Sequence, residues 1–442
     1  MSGYAEIIAG REGLYVTRGR VDATQLIPLP EPTLGAAVAK ARTIAPAVLW
    51  VHESAHALYG LPESGHELGS VMALPPDAAS SPGWVRLAKD LHLALPAYSG
   101  DFAELEAPID LLYALRQFAE HVGMQFMFSA PSTVLALIGA KMSIPLSQPS
   151  GVPYIGSAFA IPAHTWTRPA DAADRGLPAV QLFDRRASYL AAWRSAVLPV
   201  AAPGAAAWLA QERPNRIAAP GYYLIDVRAL APFLARERLY NPFARAHGEE
   251  LEGAVWLTEP LATLALELAA EAGVTLECGR AVTSTAATRA LDLVAERLGD
   301  ARKALEAGLA LGEDPRARAV IAAIKDGYTR GTAHLEFGRK PGHALHRPEW
   351  RHSIVDRSVA NTYRSLRRAS RRPLVMGGID AAVFPVITAD LPIDGLREGP
   401  ELGTWHRRGA PMPRAAALRK LGRKSRDTAT NARELIAALM AS

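Results

Sequence analysis

Two aspartates stand where short apolar runs meet a carboxylate. Asp184 closes Leu182-Phe183-Asp184, and Asp380 sits inside Leu374–Val386, which reads LVMGGIDAAVFPV. A carboxylate in such a setting is costly unless a metal or a cation compensates it. Two carboxylates from distant strands, meeting on one sheet, are what a two-metal phosphoryl-transfer site needs. The plainer role for Asp380 is to cap a turn at a strand end. A second chemistry is written in His52-Glu53-Ser54-Ala55-His56. On a helix the two histidines of an HExxH pattern lie one turn apart and share a Zn²⁺, with the glutamate as general base of a metalloprotease. Glu63, His66 and Glu67 are the nearest candidates for a third ligand. The apolar Ala47–Val51 just before the motif reads as a strand, which would place it at a strand–helix turn instead.

The elements that must position these residues follow from periodicity. Glu6–Ala9 and Gly13–Val16, separated by three residues, predict a hairpin. Helices are expected over 33–45, 109–123 and 132–140 from their apolar spacing, so the first part alternates strands and helices as an α/β domain does. Residues 141–180, rich in Pro, Gly and Ser, predict a linker or a long crossing loop. Thr258 is the expected N-cap of a helix whose first turn accommodates Pro260. Helices are predicted over 286–309 and 315–328, and another over 350–369 that buries Val355, Val359, Thr362 and Leu366. Leu374–Val386, with glycines at 377 and 378, predicts a strand pair or hairpin.

The 442 residues allow two or three domains, and 49% hydrophobic with 21% charged residues is ordinary for a globular chain. One cysteine, Cys278, excludes an intrachain disulfide framework and a cysteine-rich zinc site. With no basic-then-apolar leader pattern and no long apolar run, the expectation is a cytoplasmic protein without a membrane partner. Net charge is +5, but residues 350–426 hold 16 Arg or Lys against 6 Asp or Glu, a net of +10, leaving −5 elsewhere. A basic third of this kind is the footprint of a polyanion partner, or else a solvated arginine-rich surface.

Asp184 begins Asp-Arg-Arg-Ala-Ser-Tyr-Leu, with Tyr189 five residues on. Here the chain resembles the family-B DNA polymerases, above all the compact protein-primed kind of phages and linear plasmids. Their first palm motif, D-x-x-S-L-Y, keeps its Asp and Tyr here, with Ala187 in the place of its Ser. The resemblance implies that Asp184 holds metal ions and that Tyr189 packs against the sugar of the incoming nucleotide. Ala322–Gly331 stands where the family has its fingers motif, implying Lys325 and Tyr328 as nucleotide-binding residues, although the family's Asn-Ser pair is missing. Gly378-Ile379-Asp380 stands in the place of the Asp-Thr-Asp hairpin, so Asp380 matches the second, metal-binding Asp and Gly378 replaces the first. Leu402-Gly403-Thr404-Trp405 is similar to the family's Leu-Gly-x-Trp stretch. Lys420 matches its primer-gripping lysine, with Gly422 at the tyrosine position.

What the resemblance implies is an α/β chain whose palm is of α+β type. A degenerate, ribonuclease H-like exonuclease domain would cover 1–150, with Arg11-Glu12-Gly13 in the place of its Asp-x-Glu motif. A palm would cover 151–282 and 331–390, fingers-like helices 283–330, and a basic thumb-like region 391–442. The activity would be DNA-templated nucleotidyl transfer without proofreading, with Asp184 and Asp380 holding Mg²⁺ or Mn²⁺. Primer-template DNA and dNTPs would be its partners, together with a terminal or initiator protein. DNA contacts would come from Arg357, Trp405, Arg407, Arg408 and Lys420. The alternative is a non-catalytic DNA-binding protein of replication or of telomeres on the same scaffold, as in the telomere-associated proteins of actinobacteria. The zinc protease is a third reading.

Overall fold

The computed structural model describes residues 5–17, 24–31, 33–44, 47–59, 61, 80–81, 84–88, 91–94, 102, 104–127, 129–141, 165–174, 176–201, 208–214, 216–244, 253–337, 345–387, 391–422 and 428–441. The chain divides into two compact units, one of residues 1–141 with 296–331 and one of residues 142–295 with 332–442.

The first unit holds a seven-stranded mixed sheet. Its strands are β1 (Ala5–Gly10), β2 (Gly13–Thr17), β3 (Gln25–Ile27), β4 (Ala47–Val51), β5 (Ser80–Ser81), β6 (Trp84–Ala88) and β7 (Leu91–Ala94), in the order β3-β2-β1-β4-β7-β6-β5. The predicted hairpin is present as β1 and β2, while β1, β4 and β7 run parallel. Helix α1 (Leu34–Arg42) is capped by Thr33, whose hydroxyl accepts from the Ala36 amide at 3.2 Å. Helix α2 (Pro108–Val122) buries Leu111, Leu115, Phe118 and Val122 and ends at Gly123 in the left-handed conformation. Helix α3 spans Ala130–Lys141. Most of the linker expected over 141–180, residues 142–164, lies outside the described residues.

The second unit contains the five-stranded antiparallel sheet that carries Asp184, with Asp380 in one of its turns. Its strands β8 (Thr165–Thr167), β9 (Ala179–Arg185), β16 (Val375–Gly377), β17 (Ala381–Val386) and β18 (Trp405–Pro413) lie in the order β18-β9-β17-β16-β8. The unit adds β10 (Leu198–Val200) paired with β15 (Ala286–Thr288). A four-stranded sheet is made of β11 (Trp208–Glu212), β12 (Gly221–Asp226), β13 (Ala254–Thr258) and β14 (Cys278–Ser284). Helices α4 (Ser188–Ser195), α5 (Ala231–Glu237), α6 (Glu259–Ala272) and α9 (Pro348–Arg368) belong to the second unit, whereas most of α7 (Asp292–Leu309) and α8 (Pro315–Phe337) lies in the 296–331 part of the first unit. Two short helices, α10 (Arg414–Leu421) and α11 (Thr428–Met440), end the second unit.

Strand alternation splits the five-stranded sheet into two faces. Phe183, Ala382, Phe384 and Trp405 enter a core with α6 and α9, whereas Val180, Leu182, Val375 and Val383 meet Ala417, Ala432, Leu435 and Leu439 of the two C-terminal helices. Helix α9 buries Val355, Val359, Thr362 and Leu366 as the periodicity predicts. Two expectations need correction. The segment expected to be helical from residue 286 opens as strand β15, because Ala286–Thr288 pairs with β10, and α7 begins only at Asp292. Thr258 makes no capping hydrogen bond, because its hydroxyl donates instead to the buried Asp356 carboxylate at 2.8 Å.

Candidate functional site

Strand β9 delivers Asp184 and β17 begins just after Asp380. In the antiparallel ladder Ala381 pairs with Asp184 on one side and His406 pairs with Asp184 on the other. The sheet therefore carries Asp184 on β9, while Asp380 lies in the β16–β17 turn one residue before the strand that pairs with it. The β9–α4 turn is held by Ala187 at φ 46, a left-handed conformation that costs an alanine roughly 1–2 kcal/mol. Backbone bonds close it: the Arg185 amide donates to the Asp380 carbonyl at 2.7 Å and the Arg186 amide to Thr404 at 2.8 Å.

Each carboxylate has its own partners. The Oδ2 atom of Asp184 accepts from Nε and Nη2 of Arg408 at 3.4 and 3.3 Å, with Nε2 of His406 at 3.6 Å. The Oδ2 atom of Asp380 accepts from the Ser188 hydroxyl at 3.1 Å. Burial pushes the Tyr189 phenol up to about 12, and the nearby Asp380 charge adds to the shift. Burial likewise lowers the Arg185 guanidinium to about 10, against the pull of Tyr240 and Asp380. Arg185 is committed to the fold, donating to the Gly403 carbonyl at 2.9 Å and to Thr362 Oγ1 at 2.9 Å. Asp380 thus has Ser188, Tyr189 and Arg185 near it, and Asp184 has His406 and Arg408. Sequence reasoning missed Ser188 and His406. Ser188 follows Asp184 by four residues at a helix start, a usable signal, whereas His406 is placed by the β9–β18 register alone.

This donor set does not fit a two-metal centre. Gly378, set by the motif resemblance in the place of one carboxylate, is exposed at φ 66. The Asp184 carboxylate already carries a guanidinium counter-charge. Among the described residues no group of three or more His, Cys, Asp or Glu could hold a metal ion.

Several residues singled out from sequence have other duties. Trp405 is fully buried and its indole N–H donates to Ser365 Oγ at 2.8 Å, so it is a core residue and no stacking platform. Tyr328 is buried in the first unit, where its hydroxyl accepts from Arg302 Nη1 at 3.1 Å, an arrangement that ties α7 to α8 and leaves no face for a nucleotide. Lys325 is exposed on the part of α8 that belongs to the same unit. Arg357 pairs with Glu259 at 3.0 Å, and Arg407 pairs with Glu398 at 3.0 Å beside the Phe183 ring. Arg364 pairs with Glu267 and Arg367 with Glu237 and Glu271. Much of the basic character of α9 is therefore answered by the helices it packs against, which corrects its reading as open polyanion-binding surface. Arg408 and Lys420 are half-buried.

The HExxH pattern is not on an α-helix. His52 follows β4, Glu53–Ala55 is a single 3₁₀ turn, and the buried His52 ring is taken up on both sides. Its Nε2 lies 2.9 Å from the Leu105 carbonyl and its Nδ1 2.8 Å from Ser54 Oγ. A nitrogen that donates to a carbonyl offers no lone pair to zinc. Glu63, His66 and Glu67 lie outside the described residues. No described helix is long and apolar enough to cross a membrane.

No protein-family model matches the chain, and no curated protein does. Among solved structures it is similar to phi29 DNA polymerase complexed with primer-template DNA and incoming nucleotide substrates. The TM-score is 0.54 at 11% sequence identity, over 92% of this chain and 84% of that one. The same polymerase with primer-template DNA in its post-translocation binary complex gives a TM-score of 0.48 at 11% identity, over 92% and 84% of the two chains. The likeness is one of fold alone, at a coarse level.

Proposed function

We propose that this protein binds primer-template DNA on a polymerase-like scaffold and does not carry out two-metal nucleotidyl transfer, serving replication or the ends of a phage, plasmid or other linear replicon. One observation carries the reading: the Asp184 carboxylate, in the position of a metal ligand, is held by Arg408 at 3.3 Å, while glycine stands at position 378. A cation already bound to the carboxylate opposes entry of a second. The likeness in fold to a polymerase solved with primer-template DNA supports DNA as the partner.

In this reading residues 1–150 form the degenerate exonuclease-like domain and 151–282 with 331–390 the palm. Residues 283–330 form fingers-like helices and 391–442 the thumb-like region. A second reading, templated transfer with Mg²⁺ or Mn²⁺, is favoured by the nearness along the sheet of Asp184, paired with Ala381, and Asp380, the residue before it, whose carbonyl accepts from the Arg185 amide. Primer extension with each metal separates the two, comparing wild type with Asp184→Ala and Asp380→Ala, alongside DNA binding as a function of salt. Salt-sensitive binding without extension is expected. Extension by the wild type that both substitutions abolish would establish the second reading instead.

A further inference from the structure

We propose that Arg408 is a built-in counter-cation in the place a divalent ion would take at Asp184, and that the same guanidinium receives a DNA phosphate, so that DNA is bound there without divalent ions. This deepens the proposed function and rests on it for the choice of DNA as ligand.

The argument starts from register. On β18, His406 pairs with Asp184 and Arg408 with Leu182, so by alternation His406, Arg408 and Asp184 share one sheet face. A guanidinium has five N–H donors in a rigid fork. Arg408 directs two of its N–H bonds, from Nε and Nη2, at a single oxygen of Asp184. About three donors then remain for another acceptor. The Arg408 side chain is 42% exposed whereas that of Asp184 is 19% exposed, so the cation is the more accessible member of the pair. Asp184 is then a positioning residue: it aims the fork, and His406 borders the same oxygen at 3.6 Å. An arginine so oriented suits a phosphodiester, which guanidinium binds through paired hydrogen bonds. Metal-dependent binding would require Asp184 to exchange this partner for an ion, with Gly378 contributing no ligand.

The test has two independent readouts. The first is binding of a labelled primer-template duplex by fluorescence anisotropy, at matched ionic strength with Mg²⁺ or with EDTA. The second is Mn²⁺ binding to the protein alone, by electron paramagnetic resonance. Wild type should bind DNA equally in Mg²⁺ and EDTA and take up no stoichiometric Mn²⁺. Arg408→Ala should weaken DNA binding about tenfold and reduce the salt slope by about one. Arg408→Lys, which keeps the charge without the fork, should still exclude Mn²⁺ but recover only part of the affinity. Arg408→Glu should create a Mn²⁺ site with Asp184 and lose DNA binding in EDTA. Stoichiometric Mn²⁺ on wild type that vanishes in Asp184→Asn would overturn the proposal, as would wild-type DNA binding abolished by EDTA. Failure of the wild type to bind DNA would sink the proposed function and the phosphate role together, and the Mn²⁺ arm would still decide the counter-cation. Circular dichroism of each variant confirms that it is folded.

Discussion

If Arg408 belongs to Asp184 by design of the fold, removing either partner should destabilise the metal-free protein. At 3.3 Å two unit charges attract by roughly 1 kcal/mol in bulk water and by about 5 kcal/mol at an effective dielectric of 20. With Arg408 42% exposed, solvent screening pulls the value toward the low end, and exposed pairs contribute about 0.2–1 kcal/mol. A coupling of about 1 kcal/mol is expected, at the upper edge because Asp184 is mostly buried. The assay is a double-mutant cycle of Asp184→Ala and Arg408→Ala in EDTA, read as urea unfolding by tryptophan fluorescence. Six of the eight tryptophans, Trp193 and Trp405 among them, lie in the second unit, so the signal reports chiefly on it. Each single substitution should lower stability, and the double mutant should lose less than their sum. A vacant metal site behaves oppositely, because its carboxylates repel and Asp184→Ala relieves them. Stabilisation by Asp184→Ala, or a coupling indistinguishable from zero, would refute the reasoning.

Trp405→Ala should cost about 3–5 kcal/mol and unfold the second unit at a markedly lower urea concentration, since it empties a fully buried site and leaves Ser365 without its donor. If Trp405 were a stacking platform, DNA affinity would fall with stability unchanged. Tyr328→Phe should cost about 1 kcal/mol through the lost Arg302 hydrogen bond while leaving DNA and nucleotide binding as in wild type, checked by thermal unfolding and titration. Glu349 is fully buried, and desolvation raises its carboxyl from 4.5 to about 7 despite Arg347. The folded state therefore holds a proton that the unfolded chain releases, so this group's contribution is present below pH 4.5 and is lost as pH rises toward 7. Urea midpoints between those values should fall more steeply with pH in wild type than in Glu349→Gln, and parallel curves would contradict this.

Periodicity and turn chemistry were enough to locate many elements near their observed positions. The β1–β2 hairpin, α1, α9 with its buried Val355–Leu366 stripe and the β16–β17 hairpin all follow from local residue patterns, because burial of one face imposes the period. The polymerase-like fold was also legible, and the likeness to a solved polymerase agrees with it at a coarse level. What sequence could not decide is which partner each charged or aromatic group meets. A tryptophan in a Leu-Gly-x-Trp stretch reads the same whether it stacks on a base or fills a core, and β9–β18 pairing buries it. The arginines of α9 read as a basic surface until α5 and α6 bring Glu237, Glu259, Glu267 and Glu271 against them. HExxH looks like a zinc site until β4 runs up to His52 and the Leu105 carbonyl takes its Nε2. Arg408 and Asp184 are 224 residues apart, and antiparallel register alone sets the guanidinium on the carboxylate. Local sequence determined the elements because secondary structure depends on near neighbours. Long-range pairing decided the chemistry, because a carboxylate's role depends on which cation the fold brings to it.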